Sequence, residues 1–138
     1  MKFAEVPEKS RRYVKEGIRK AFRFSYLYDR ALDSARVEMP RYKKDGNLSK
    51  IPDVFYRCAK CDALWKKKNR EVQIDHIIPV VPIQSSELEM TISEYCYRVF
   101  NNPLQVMCKY CHLEKTNEEN NARKEYKKSS CKKPKGVL

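Results

Sequence analysis

Apolar residues recur with helical spacing at the start of the chain. In "EKSRRYVKEGIRKAFRF", residues 8–24, Val14, Ile18, Ala21 and Phe22 share one stripe. Arg11, Arg12, Lys15, Arg19, Lys20 and Arg23 cover the rest, the pattern of an amphipathic helix. A second helix is expected from Tyr26 to Glu38, with Leu27, Ala31, Leu32 and Ala35 inward and Pro40 stopping it. Residues 41–53, "RYKKDGNLSKIPD", carry turn residues and little pattern, and are expected to form a loop. Beyond residue 53 the spacing changes. "VFYRCAKC" and "EVQIDHIIPV" predict short strands around a turn, with Pro79 and Pro82 ending the second. "SSELEMTISEYCYRVF" predicts a helix with Ile92, Tyr95, Cys96 and Val99 on one side. Residues 101–111 read as a turn carrying cysteines, and a last helix is expected from His112 to Lys128. The tail, "KKSSCKKPKGVL", offers too little apolar surface to offset the entropy of ordering it, and disorder is expected there. The pattern is α+β: a basic helical region over 1–53, a mixed core over 54–128 and a basic tail over 129–138.

Composition narrows the function. The chain has 138 residues, enough for one domain, and 30 Lys+Arg against 18 Asp+Glu give it a net charge of +12. Such an excess points to a polyanionic partner, with nucleic acid first. No apolar run approaches the ~20 residues that span a bilayer, so no membrane role is expected. "MKFAEVPEKSRR" lacks the apolar stretch of a signal peptide, which predicts a cytoplasmic protein. Six cysteines in such a chain suggest thiols and metal ligands rather than disulfides. With a modest core, a structural metal would supply much of the folding free energy.

The cysteines carry the first chemistry. Cys58-Ala-Lys-Cys61 and Cys108-Lys-Tyr-Cys111 are two C-x2-C knuckles. Together they predict a tetrahedral four-sulfur zinc site that draws two distant segments together. A redox pair or unrelated buried thiols is the competing interpretation. Cys96 fits a small core residue on its helix, and Cys131 has no role that the pattern assigns. The first knuckle precedes Asp75-His76, and the second immediately precedes His112; these are the only two histidines. An acid and an imidazole inside an apolar strand are costly unless something binds them. Asp75 and His112 are therefore expected to hold a divalent cation with positions open to phosphate and water, and His76 to take a proton from that water. The bland alternative makes Asp75 a turn cap and His76 a hydrogen-bonded core residue.

The full set, "C58-x2-C61 … D75-H76-I-I-P79 … N-P-L-Q-V-M-C108-x2-C111-H112-x3-K115-T116", resembles the HNH endonucleases with a four-cysteine zinc ribbon, in a small phage-encoded subgroup. The resemblance covers residues 8–128. It implies a ββα-metal (His-Me finger) core behind an N-terminal basic helical pair, and hydrolysis of DNA phosphodiester bonds. It further implies structural Zn2+ on Cys58, Cys61, Cys108 and Cys111. Mg2+, Mn2+ or another divalent cation would sit on Asp75 and His112, with His76 as general base. Phage terminase subunits and genome packaging enter as the context of that subgroup. One position departs from the family: Pro103 stands where the middle Asn normally precedes the Leu. Asn102 is the favoured substitute and Asn101 the other candidate; in the family this Asn fixes the loop that orients the base.

Basic clusters supply candidate phosphate contacts: Arg11, Arg12, Lys15 and Arg19 on the first helix, Lys66, Lys67 and Lys68 with Arg70 in the inter-strand turn, and Lys115, Arg123, Lys124, Lys127 and Lys128 on the last helix. No base-reading helix is evident, so weak sequence specificity is expected. Trp65 is expected to pack on the zinc ribbon. The competing functions are a non-catalytic zinc-ribbon DNA binder and an endonuclease resolving branched DNA.

Overall fold

The structure, a computed structural model, describes residues 1–130. A short 3-10 turn at Phe3–Glu5 leads into α1 (Glu8–Arg23). Its apolar stripe buries Phe22 and half-buries Val14 and Ile18, as the periodicity predicts. Arg11 turns back from this helix, and its guanidinium donates to the carbonyls of Phe3, Ala4 and Val6. α2 (Tyr26–Ser34) buries Leu32.

The second helix ends at Ser34, four residues before the expected Glu38. Residues Arg36–Met39 instead form β1, antiparallel to β2 (Asp53–Arg57) with Val37 opposite Phe55. The charged residues of "RVEM" suit a helix surface equally well, and only the distant partner strand settles their conformation. β3 (Leu64–Trp65) completes a three-stranded sheet in the order β1-β2-β3. A second sheet pairs β4 (Val72–His76) with β5 (Leu104–Cys108), antiparallel, with Asp75 opposite Gln105 and His76 opposite Leu104. β5 corrects the expected cysteine-bearing turn over 101–111. It buries Val106, Met107 and Cys108 in succession, so no alternation marks it as a strand.

Between the paired strands the chain makes a 3-10 turn and α3 (Ile92–Asn101). The expected helix over 85–100 thus begins only at Ile92. Thr91 caps it, its hydroxyl oxygen accepting from the Glu94 N–H at 3.0 Å. α4 (Lys109–Ser130) follows β5 directly and packs on both strands of the second sheet. It takes in Ser129 and Ser130, which the sequence had assigned to the tail; the expected disorder over the remaining tail and Cys131 lie outside the described residues.

Two apolar clusters hold the molecule. The larger joins Phe3, Phe22, Val80, Met90, Tyr95 and Val99, tying α1 to α3 and the chain after β4. Phe3 and Tyr95 meet edge to face at 5.3 Å. The smaller consists of Cys58, Met107 and Cys108 with Trp65 and Cys111 packed against it. Each fully buried large side chain contributes about 1.5–3 kcal/mol, so the smaller cluster is thin without a further link. Cys96 is half-buried on α3. Among the described residues no helix is long and apolar enough to cross a membrane.

Candidate metal centre and active site

Cys58 directly follows β2, Cys61 comes next in a tight turn, Cys108 ends β5 and Cys111 lies in the first turn of α4. Asp62, in the left-handed region at φ 62°, closes the first knuckle, and its N–H donates to the Cys58 carbonyl at 3.0 Å. The second knuckle is a helix start, where the Cys111 N–H points at the Cys108 sulfur, 3.4 Å away. The Ala59 N–H donates to the Val106 carbonyl at 2.8 Å and draws the knuckles together.

The four sulfurs all lie within 4.8 Å of one another, and Cys61 and Cys108 Sγ are 4.0 Å apart. Around tetrahedral zinc, with Zn–S of ~2.3 Å, sulfurs stand about 3.8 Å apart. The cluster is close enough to hold a metal ion and is consistent with structural zinc. Its electrostatics also favour a cation. Burial and the neighbouring sulfurs push the Cys111 thiol up to about 12. At Cys58 burial works in the same direction, but N–H donors from Cys61, Cys108 and Lys60 outweigh it and lower the thiol to about 6. Four thiolates coexist here only with a cation among them. A metal at this point would clamp the end of the three-stranded sheet to β5 and to the start of α4.

His112 follows Cys111, so the same clamp would fix its position on α4. Asp75 reaches it from β4: His112 Nε2 and Asp75 Oδ1 stand 3.5 Å apart. The other carboxylate oxygen is already held. Gln105, directly across the sheet, donates to Asp75 Oδ2 at 3.0 Å, and the Lys115 ammonium lies 3.0 Å from the same oxygen. Lys115 also donates to the His76 carbonyl at 3.0 Å and to Glu119, so its three N–H donors are all used. Burial alone would raise the Asp75 carboxyl, but bonds from His112, Gln105 and Lys115 hold it down at about 2. Asp75 therefore stands ionised, with Oδ2 anchored and Oδ1 facing His112.

His76, next along β4, is held differently. Its Nε2 lies 2.7 Å from the Val99 carbonyl, which can only accept, so Nε2 carries the proton. In the neutral ring Nδ1 then keeps a lone pair. Phe22 packs on the imidazole at 5.2 Å. Burial lowers the His76 pKa below 6.5, with Arg19 and Lys115 adding to that and the Val99 bond and Asp75 opposing it. The shift favours the neutral ring.

The two candidate asparagines part company. Asn102 caps α3 and donates to the carbonyls of Ile78 (3.1 Å) and Pro79 (3.4 Å), tying down the segment after His76. Asn101 turns back to the Tyr97 carbonyl on its own helix. Pro103 leaves the pairing intact, since its carbonyl accepts the Ile77 N–H at 2.8 Å.

Among the expected phosphate contacts, Arg12, Lys66, Lys67 and Lys68 are exposed, Lys15 pairs with Glu87, and Arg19 donates to the Tyr95 hydroxyl. Arg11 and Lys115 turn toward protein acceptors instead. Trp65 packs beside Tyr110 on the smaller cluster, as expected. The sequence did not single out Gln105 or Glu119. Gln105 becomes significant only through the register that sets it opposite Asp75, and Glu119 only through Lys115 one helical turn away.

Comparison with family models, curated proteins and solved structures yields no match.

Proposed function

We propose that the chain is a metal-dependent endonuclease of the HNH type, with β4, β5 and α4 as a ββα-metal core that hydrolyses DNA phosphodiester bonds. One observation carries this reading: a carboxylate oxygen and an imidazole nitrogen stand 3.5 Å apart at the end of β4, and the next residue of that strand is a second histidine whose Nε2 is tied to a carbonyl. Adjacent ligands of an octahedral cation with bonds of ~2.1 Å stand about 3 Å apart, so Asp75 Oδ1 and His112 Nε2 fit such an ion after a small shift. A mixed oxygen and nitrogen pair suits a hard or borderline divalent metal, and the +12 charge suits a polyanionic substrate.

A bound divalent cation would neutralise the scissile phosphate and the leaving oxygen. The protein supplies the rest. Gln105 and Lys115 hold Asp75 Oδ2, which would leave Oδ1 aimed at such an ion. The Val99 carbonyl fixes the His76 tautomer, and Asn102 braces the segment behind it. His76 Nδ1 takes a proton from water as the water oxygen bonds to phosphorus. The P–O3′ bond breaks, the 3′ oxygen leaves with the electron pair and gains a proton from solvent, and the 5′ side keeps the phosphate.

Relaxation of supercoiled plasmid with Mg2+ or Mn2+ tests the proposal. The protein should nick, and His76→Ala should be slower by roughly 10²–10⁴-fold, the usual contribution of a general base. Equal nicking by both would remove His76 from the mechanism. DNA binding with no nicking by either would favour the non-catalytic zinc-ribbon binder.

A further inference from the structure

We infer that a groove between α1, the segment 81–88 and the C-terminal half of α4 is a second nucleic-acid contact, taking the phosphodiester backbone of duplex DNA away from the cleavage point. The groove has a volume of about 790 Å³, and Arg12, Lys15, Arg19, Arg123 and Lys127 line it. Only two carboxylates, Glu16 and Glu87, share the lining, so the groove carries a clear excess of positive charge.

Two of the arginines are fixed in place. Arg19 donates through Nε to the Tyr95 hydroxyl at 2.7 Å, and its guanidinium lies over that ring. Arg123 donates to the carbonyls of Val81 (2.6 Å) and Pro82 (3.2 Å). A guanidinium has five N–H donors, so each keeps donors to spare for a phosphate. Arg12 and Glu16 form an ion pair 81% and 53% exposed, and such pairs hold weakly enough for a phosphate to compete. Lys127 makes no ion pair among the described residues.

Helix geometry relates the groove to the candidate active site. His112, Lys115, Glu119, Arg123, Tyr126 and Ser130 follow one another at three- and four-residue steps, so they share one face of α4. His112 and Lys115 meet Asp75, and Glu119 holds Lys115; the last three line the groove. From His112 to Lys127 the rise is about 22 Å. At about 3.4 Å per nucleotide, that is roughly six or seven nucleotides of one strand. A duplex bound at His112 would thus present backbone to Lys127 a little over half a turn away.

This inference rests on the nuclease proposal for its substrate, but its test does not need cleavage. Affinity for a 30-base-pair duplex is measured by fluorescence anisotropy over a salt series, without added divalent cation. The double variant Arg12→Ala/Lys127→Ala should bind roughly fivefold more weakly per lost contact near 0.15 M salt, and its log–log salt slope should fall by about two. Lys43→Ala/Lys44→Ala, with the same charge change at exposed residues outside the groove lining, should lose much less. Unchanged zinc content and melting temperature exclude a folding defect, and Arg12→Lys/Lys127→Arg should restore binding. Equal losses in the two alanine pairs, or none in the groove pair, would overturn the inference. A parent that binds with this pattern and never nicks would leave the groove standing and remove the active-site proposal.

Discussion

Removal of the metal from the cysteine site should unfold one part of the molecule and leave the other. The smaller cluster buries only Met107 and two cysteines, with Trp65 and Cys111 packed against them. Burying Met107 contributes about 1.5–3 kcal/mol. A structural zinc in a small domain contributes on the order of 10 kcal/mol or more. A metal bound there would therefore outweigh apolar packing several-fold, and β2, β3 and the start of α4 should depend on it. The larger cluster contains no cysteine and draws on Phe3, Phe22, Tyr95 and Val99, so α1 and α3 should persist. Trp65 is the only tryptophan and lies against the cysteines, and its buried indole N–H has no partner among the described residues. On treatment with a strong zinc chelator its emission should shift to the red as the ring meets water, while most helical circular dichroism remains. Unchanged Trp65 emission in protein shown by mass spectrometry to have lost its zinc would refute the reasoning. Complete loss of helical signal would refute the independence of the larger cluster.

Other outcomes follow from single contacts. Gln105→Leu frees Asp75 Oδ2 from its cross-strand anchor, and Mn2+ affinity measured by calorimetry should fall about 10–100-fold with zinc content unchanged. Asn102→Ala removes the bonds to Ile78 and Pro79 and should cost about 1 kcal/mol in urea denaturation, whereas Asn101→Ala should cost less. Phe22→Ala opens a cavity beside the His76 and Phe100 rings and should cost about 3–5 kcal/mol by the same assay. Nitrogen-15 NMR of His76 at neutral pH should show the proton on Nε2; a dominant Nδ1–H form would contradict the Val99 bond.

The legible parts of the sequence were those whose signals are local. Val14, Ile18 and Phe22 repeat every four residues, and that repeat alone defines α1. The knuckles are legible because two residues between cysteines set the bite of a metal site. His112 directly follows Cys111, so its place beside the cysteines was also legible; Asp75 lies well beyond Cys61, and the pairing of β4 with β5 brings it to His112. What sequence could not supply depends on distant partners. β1 is a strand because Arg36–Met39 meets Asp53–Arg57, and β5 because Leu104–Cys108 meets Val72–His76. Missing β5 also hid the register, and with it the role of Gln105. Lys115 looked like another surface cation because charge alone does not reveal that its ammonium turns in to Asp75 and Glu119.

Mn2+ titration of zinc-loaded protein, followed by electron paramagnetic resonance, tests most directly whether the fold brings Asp75 and His112 together as one cation site. The parent should show a single site, lost in both Asp75→Ala and His112→Ala and kept in His76→Ala. Undiminished Mn2+ binding in either ligand variant, or none in the parent, would contradict a shared site.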